Sequence, residues 1–146
     1  IGEACHFIDL MRHLIGHKIK GFTATMMGNT PGIELREDKT SITLSFEDGS
    51  FGTIHYLANG GSTFPKERIE VFCDDAVLQM DNYRVLTGYG WPRFKTMKLF
   101  RQDKGQKACV KAFTDSIING KESPILYEEL MESSRVSIEV ANSLRN

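Results

Sequence analysis

Hydrophobic residues near the start of the chain recur with the spacing of a helix. Four of them stand at i, i+3, i+4 and i+7, which places them on one face of an α-helix: Phe7, Leu10, Met11 and Leu14. The pattern predicts an amphipathic helix over residues 3–16 with this face turned inward. Gly16 stands where a residue of left-handed conformation commonly ends a helix, so we expect the helix to stop there.

After Lys18 the spacing changes to the short alternating runs that are typical of strands. The clearest pair flanks Asp48 and Gly49, a dipeptide that favours a tight hairpin turn, with Ile42 to Phe46 before it and Phe51 to Leu57 after it. Other runs predict strands at 18–27, 67–73, 77–81, 83–88 and 95–100. Turns are predicted at the pairs Asp74-Asp75 and Asp81-Asn82, and a long loop at 28–39. Their short connections imply antiparallel neighbours.

Helical spacing returns in the last third of the chain. Cys109, Phe113 and Ile117 share one face, and Asp103 with Gln106 is a possible capping box. A final helix is predicted over residues 126–144. Helix, strands, helix, helix is an order that predicts an α+β fold, in which helices cover one face of a predominantly antiparallel open sheet of about six or seven strands. The other face would require water or a partner, such as a second subunit.

Composition narrows the functional classes. A chain of 146 residues with net charge −1 fits one domain, residues 1–146, and has no basic cluster for nucleic acid. No apolar run approaches the roughly 18 residues of a membrane span, so we expect no membrane partner. The three cysteines show no paired spacing, which favours a reduced, cytoplasmic setting. Ile1 lies inside a segment that has the pattern of a functional region, so we expect the chain to be part of a longer protein.

Chemistry is suggested by one edge of the first helix, where His6, Asp9, His13 and His17 lie within about 80° of one another. Such spacing arises often by chance on a polar face, so we expect no metal, and His13 and His17 are interpreted as solvated residues. His6 lies in the first turns, where the helix dipole favours a neutral imidazole that could exchange a proton with a substrate hydroxyl. From the residues alone, a solvated His6 remains the alternative.

A second candidate is the loop after the sequence TGYG. Trp91 could stack on a sugar and Arg93 could hydrogen-bond to it as a fork. A packed loop at the edge of the sheet is the alternative. No GxGxxG or GxxxxGK loop is found in the sequence, so we expect this chain to hold no nucleotide by itself.

Several segments, in order, resemble the C-terminal domain of the glucose-fructose oxidoreductase and inositol dehydrogenase family (Gfo/Idh/MocA). They are GEACHFIDLMRHLIG, ITLSFEDGSFGTIHY, RIEVFCDDAVLQMDN and KAFTDSIINGKESPI, followed by the closing helix. The resemblance covers nearly the whole chain. It implies the substrate-binding half of a two-domain enzyme that acts on a sugar, nucleotide sugar or polyol. An N-terminal Rossmann domain, not included in this sequence, would bind NAD or NADP.

The resemblance also implies residue roles. His6 matches the family's histidine, which acts with a lysine from the other domain in proton transfer, and Asp9 matches the aspartate that orients the helix edge or the substrate. Gly2 stands where many members carry an acid. The open sheet would build a homo-oligomer. GEACHFID looks most like proteins of surface polysaccharide pathways that carry a zinc-type alcohol dehydrogenase module upstream. A non-catalytic oligomerisation module and an NAD-dependent glycoside-cleaving enzyme are the alternatives.

Overall fold

A computed structural model describes residues 2–28, 32 and 37–145. Within them the chain forms three helices and seven strands, which confirms the α+β class. In chain order the elements are α1 (Ala4–Ile15), β1 (Ile19–Met26), β2 (Lys39–Phe46), β3 (Phe51–Leu57), β4 (Arg68–Cys73), β5 (Ala76–Asp81), β6 (Val85–Tyr89), β7 (Thr96–Lys98), α2 (Gln106–Ile118) and α3 (Tyr127–Arg145). The long loop predicted at 28–39 lies largely outside the described residues. In the described part of the chain, no helix is both long and apolar enough to cross a membrane.

The chain divides into two compact units. The first consists of residues 1–60 and 122–146, and the second of residues 61–121. The first contains a sheet of order β1-β2-β3 and the second a sheet of order β4-β5-β6-β7. Every neighbouring pair of strands is antiparallel, as predicted. The seven strands therefore form two sheets instead of one, and the assignment of residues 1–146 to a single domain stays a prediction.

The hydrophobic core of the first unit lies between one face of its sheet and the helices α1 and α3. Side chains of β2 form its centre, where Ile42, Leu44 and Phe46 are almost completely buried. Ile8 from α1 and Val140 from α3 are also completely buried and belong to the same cluster. Alternate residues of a strand point to opposite faces, so the other face of this sheet points away from the core.

Helix α1 begins and ends close to the predicted residues. Gly16 has a φ of 76°, and its backbone N–H donates to the Arg12 carbonyl at 3.0 Å, which closes the helix as expected. The inward face is rotated from the predicted one: Ala4, Ile8 and Arg12 are buried, whereas Leu14 is 53% exposed. The prediction that Leu14 turns inward was wrong, because a charged residue occupies the inward position.

Arg12 is held by carboxylates of α3. Its Nε donates to Glu132 Oε2 at 2.8 Å, and its second amino group lies 3.5 Å from Glu129. The other carboxylate oxygen of Glu132 accepts from the backbone N–H of Ile19 at 2.9 Å. One carboxylate thus joins α1, β1 and α3. Since the Arg12 and Glu132 side chains are only 8% and 12% exposed, water screens this pair weakly.

Two tight turns shape the sheet of the second unit. Asp74 and Asp75 connect β4 to β5 with φ angles of 47° and 58°, which confirms the turn predicted there. Asn82 and Tyr83 connect β5 to β6 with φ angles of 51° and 50°. Positive φ at both central positions matches the twist of the flanking strands. The second turn was expected one residue earlier, at Asp81 and Asn82.

Helix α2 starts differently from the prediction. Gly105, with a φ of 78°, is its N-cap, and no side chain caps the helix. Asp103 instead accepts from the backbone N–H of Gly105 at 2.8 Å, so the predicted capping box with Gln106 was wrong. Phe113 and Ile117, predicted to share a face, are 55% and 65% exposed.

We predict that Glu132→Ala lowers the free energy of unfolding by about 3–5 kcal/mol, because it leaves the buried Arg12 guanidinium with only its longer contact to Glu129. Glu139→Ala is the matched control, since Glu139 pairs with Arg135 on the exposed surface of the same helix, and we expect it to change stability by less than about 1 kcal/mol. Urea denaturation of the chain measures both. Equal losses in the two variants would contradict the role of Glu132.

Candidate functional site

His6 lies in the first turn of α1 and its side chain is exposed. The N-cap residue, Glu3, makes no side-chain hydrogen bond to the helix, and its carbonyl accepts from the backbone N–H of His6 at 3.2 Å. No acidic residue lies in this first turn. The positive end of the helix dipole therefore faces the region of His6 without a carboxylate in that turn to offset it.

Asp9 lies one turn further along α1 and is half-buried. Its Oδ1 accepts a hydrogen bond from the hydroxyl of Ser133 at 3.1 Å, and Ser133 is itself buried in α3. This contact holds the Asp9 carboxylate against α3. The two tasks predicted for Asp9, orienting the helix edge or contacting a substrate, both stay predictions.

A small cavity lies beside Asp9. Its volume is about 40 Å³, and it is lined by Asp9, Arg12, His13, Ile125 and Glu129. This volume is sufficient for a water molecule but far below the several hundred cubic ångströms of a typical ligand pocket. One terminal nitrogen of Arg12, Nη1, is buried without a hydrogen-bond partner in the described protein atoms. The cavity is therefore suited to bound water and too small for a sugar.

Among the residues that the structure describes, no three histidine, cysteine, aspartate or glutamate side chains are grouped so that they could hold a metal ion. The predicted histidine edge thus consists of separate side chains, of which His6, His13 and His17 are exposed. His6 and Asp9 belong to the first unit.

Trp91 and Arg93 belong to the second unit. The indole N–H of Trp91 donates to the carbonyl of Val77 at 3.2 Å. The ring also lies 3.1 Å from the position that a Cβ at Gly88 would occupy, which leaves no room there for a side chain. Such contacts are typical of a packed loop at the edge of a sheet, which was the alternative to sugar binding. Arg93 is exposed, and the described residues provide it with no ion pair. Sugar binding by these two residues stays a prediction.

A larger groove in the second unit was not predicted. It has a volume of about 460 Å³ and is lined by Ser62, Thr63, Phe64, Pro65, Lys66, Asn82, Gln102 and Lys104. These residues come from three separated segments, so no local motif reveals the groove. The only hint in the sequence is an aromatic residue, Phe64, inside a loop rich in Gly, Ser and Thr.

Tyr83 follows Asn82, a residue of the groove lining, in the sequence. Its ring contacts Lys104, another residue of that lining. The ammonium group of Lys104 lies 5.7 Å from the centre of the Tyr83 ring. Burial raises the pKa of the Tyr83 hydroxyl above its usual value, the charge of Glu67 raises it further, and Lys104 lowers it. The hydroxyl therefore stays protonated well above neutral pH.

Comparison with solved structures identifies the fold. A UDP-N-acetylglucosamine 3-dehydrogenase from Acidithiobacillus ferrooxidans matches 96% of this chain with a TM-score of 0.74 and 15% identity. An aldose-aldose oxidoreductase from Caulobacter crescentus, complexed with glycerol, matches 97% with a TM-score of 0.71 and 17% identity. The WlbA dehydrogenase from Bordetella pertussis, in complex with NADH and UDP-GlcNAcA, matches 98% with a TM-score of 0.57 and 18% identity.

These likenesses show the fold, and this chain covers only 44%, 43% and 41% of the respective structures. No curated protein matches the sequence significantly. The sequence profile described as "GFO/IDH/MocA C-terminal domain" matches residues 3–79, which include α1 and the whole sheet of the first unit. Those 77 residues are more than half of the 146. The resemblance noted in the sequence is thereby confirmed, and this chain belongs to the GFO/IDH/MocA C-terminal domain family.

Proposed function

We propose that this chain is the substrate-binding and oligomerisation domain of an NAD(P)-dependent oxidoreductase that acts on a sugar, nucleotide sugar or polyol. The observation that carries the proposal is an exposed His6 in the first turn of a helix that lies inside the matched family region. The structural neighbours include dehydrogenases named for sugars and nucleotide sugars, which supports the substrate class. An upstream zinc-type alcohol dehydrogenase module stays a prediction.

In this proposal His6 exchanges a proton with a substrate hydroxyl. Oxidation of an alcohol to a carbonyl removes a hydride from carbon, which a nicotinamide would accept, and a proton from oxygen, which an imidazole is suited to accept. Its exposure leaves the ring accessible to a ligand. Asp9, fixed by Ser133, would hold the helix edge so that the imidazole meets the hydroxyl in a constant geometry.

The described residues show none of the features of a Rossmann-type dinucleotide site. All its described strand pairs are antiparallel, so the described part contains no strand-helix-strand unit of the Rossmann type, and the sequence has no glycine-rich phosphate loop. A nicotinamide cofactor would supply the hydride chemistry. We propose that NAD or NADP binds mainly to a Rossmann domain elsewhere in the full-length protein, in line with the NADH complex of the Bordetella neighbour.

The proposed oligomer interface is the face of the first sheet that points away from the core. At its centre the hydroxyls of Thr43 and Thr53 lie 3.0 Å apart, and beside them Ser41 bonds to His55 at 3.0 Å. Within β1–β3 this face carries no acidic residue, and the hydroxyls of Ser41, Thr43 and Thr53 are hydrogen-bonded across neighbouring strands. Lys39 on this face pairs with Asp38, which limits charge repulsion between two copies of the surface.

The rival function is a non-catalytic assembly module. It is favoured by Gly2, which stands where many family members carry an acid, and whose surroundings are open. Both functions use the sheet face, so they differ only in whether His6 takes part in chemistry.

We predict that His6→Gln in the full-length protein lowers kcat by about 100-fold or more, the usual contribution of a general acid-base group. The pH profile should also lose the limb that this group produces. His17→Gln, which changes an exposed histidine just after the end of α1, is the matched control and should keep wild-type turnover. Oxidation of a panel of nucleotide sugars and polyols, followed through nicotinamide absorbance, measures both variants. Unchanged turnover in His6→Gln would favour the assembly module.

We predict that Thr53→Arg weakens self-association of the chain by about 100-fold, because it places like charges opposite each other across a symmetric interface, at a cost of several kcal/mol. Asn142→Arg introduces the same charge at an exposed position of α3 and should leave the association constant unchanged. Sedimentation velocity over a concentration series measures both. A wild-type chain that stays monomeric at the highest concentration would contradict the proposed interface.

A further inference from the structure

The groove of the second unit has the volume of a small-molecule site and a mostly polar lining. Its volume of about 460 Å³ falls within the usual range for ligand pockets of about 300–1,000 Å³. One side is the loop at 62–66, and the other consists of the polar side chains of Asn82, Gln102 and Lys104. All these residues belong to one compact unit.

Two amide side chains of the groove orient each other. The amino group of Gln102 donates to the backbone carbonyl of Asn82 at 3.0 Å and to its side-chain oxygen at 2.9 Å. The amino group of Asn82 and the carbonyl of Gln102 make no other hydrogen bond to the described residues. A free donor therefore stands near a free acceptor, and a sugar hydroxyl, which both donates and accepts, is suited to such a pair.

The turn that carries Asn82 is held in place by its neighbour. Tyr83 adopts a φ of 50°, a conformation that aromatic residues seldom adopt. Its carbonyl accepts from the backbone N–H of Asp103 at 3.1 Å, and its ring lies beneath Lys104. These contacts fix the amide pair before any ligand binds, which reduces the entropy lost on binding.

One positive charge in the groove is not compensated. Lys104 forms an ion pair with Glu67, so those two charges offset each other. Lys66 is exposed and has no ion pair or side-chain hydrogen bond to the described residues. The hydroxyls of Ser62 and Thr63 are also uncommitted in the described part of the chain. An anionic group bound beside this loop would have one ammonium and two hydroxyl donors available to it.

The loop also exposes an aromatic ring. Phe64 is 73% exposed, although burial of such a side chain is favourable by about 25 cal/mol per Å². Its backbone is fixed by a hydrogen bond to Gly61 at 3.0 Å. Aromatic rings pack well on the apolar C–H face of a sugar ring, so Phe64 provides a surface for stacking.

We propose that this groove binds a phosphorylated sugar. Phe64 packs against the sugar ring, the amides of Asn82 and Gln102 bind its hydroxyls, and Lys66 with Ser62 and Thr63 binds the phosphate. The proposal rests on the proposed function for the choice of a sugar as ligand. It assigns recognition in the second unit to residues other than Trp91 and Arg93.

The test is a calorimetric titration of the chain, carried out separately with glucose 6-phosphate, methyl glucoside and inorganic phosphate. Glucose 6-phosphate should bind more tightly than either of the other two. Phe64→Ala should raise its Kd by about three- to ten-fold, the range of aromatic contacts. Lys66→Ala should reduce its affinity to that of methyl glucoside.

The controls match each change. Phe72 is also 73% exposed but lies outside the groove, and Phe72→Ala should bind as the wild type does. Lys107→Ala removes an exposed charge from α2 and should also have no effect. Equal weakening by the controls, failure of glucose 6-phosphate to bind, or equal affinity for inorganic phosphate would overturn the sugar site.

This assay requires neither cofactor nor turnover, so it separates the groove from the chemistry proposed for His6. His6→Gln should leave the Kd for glucose 6-phosphate unchanged, which supports a site independent of that imidazole. A Kd raised as much by His6→Gln as by Phe64→Ala would overturn the assignment of binding to the groove.

Discussion

The carboxylate of Glu132 is the interaction on which the first unit depends. It accepts from the Arg12 guanidinium and from the backbone N–H of Ile19, so it fixes the start of the sheet and the last turn of α1 relative to α3. Buried charges are tolerated only when they are well paired, and this pairing admits essentially one rotation of α1 about its axis. That rotation places Asp9 against Ser133 and leaves His6 at the surface.

Local features were predicted well because their causes are local. Gly16 ends α1, Asp48 and Gly49 form the hairpin turn, and alternation identified β2 and β3. The rotation of the helices could not be predicted in the same way. The periodicity predicted that Leu14 points inward, but Arg12 is buried instead. The partner that holds Arg12 is Glu132, which lies 120 residues away in the sequence. The spacing of hydrophobic residues within α1 cannot indicate a carboxylate that is so far away in the sequence.

The same distinction applies to the site. His6 and Asp9 became candidates through their place on one edge of the first helix and through resemblance to a family, since the helix alone does not distinguish a catalytic histidine from a solvated one. The groove could not be predicted from the sequence, because its residues come from three segments that come together only when the β5–β6 turn has formed. The single sheet expected from about six or seven strands is two sheets, β1–β3 and β4–β7, with the loop at 58–67 between them in the sequence.

The first unit is discontinuous, and this has a consequence for its synthesis. On the ribosome, α1 and β1–β3 emerge before the second unit, whereas Val136, Val140 and Leu144, which complete their core, are made after it. The second unit is continuous in sequence and can fold before α3 is made. Until then the apolar face of the first sheet lacks the side chains of α3 that pack on it. During that interval the nascent chain is vulnerable to aggregation, and chaperone binding would be of greatest benefit there.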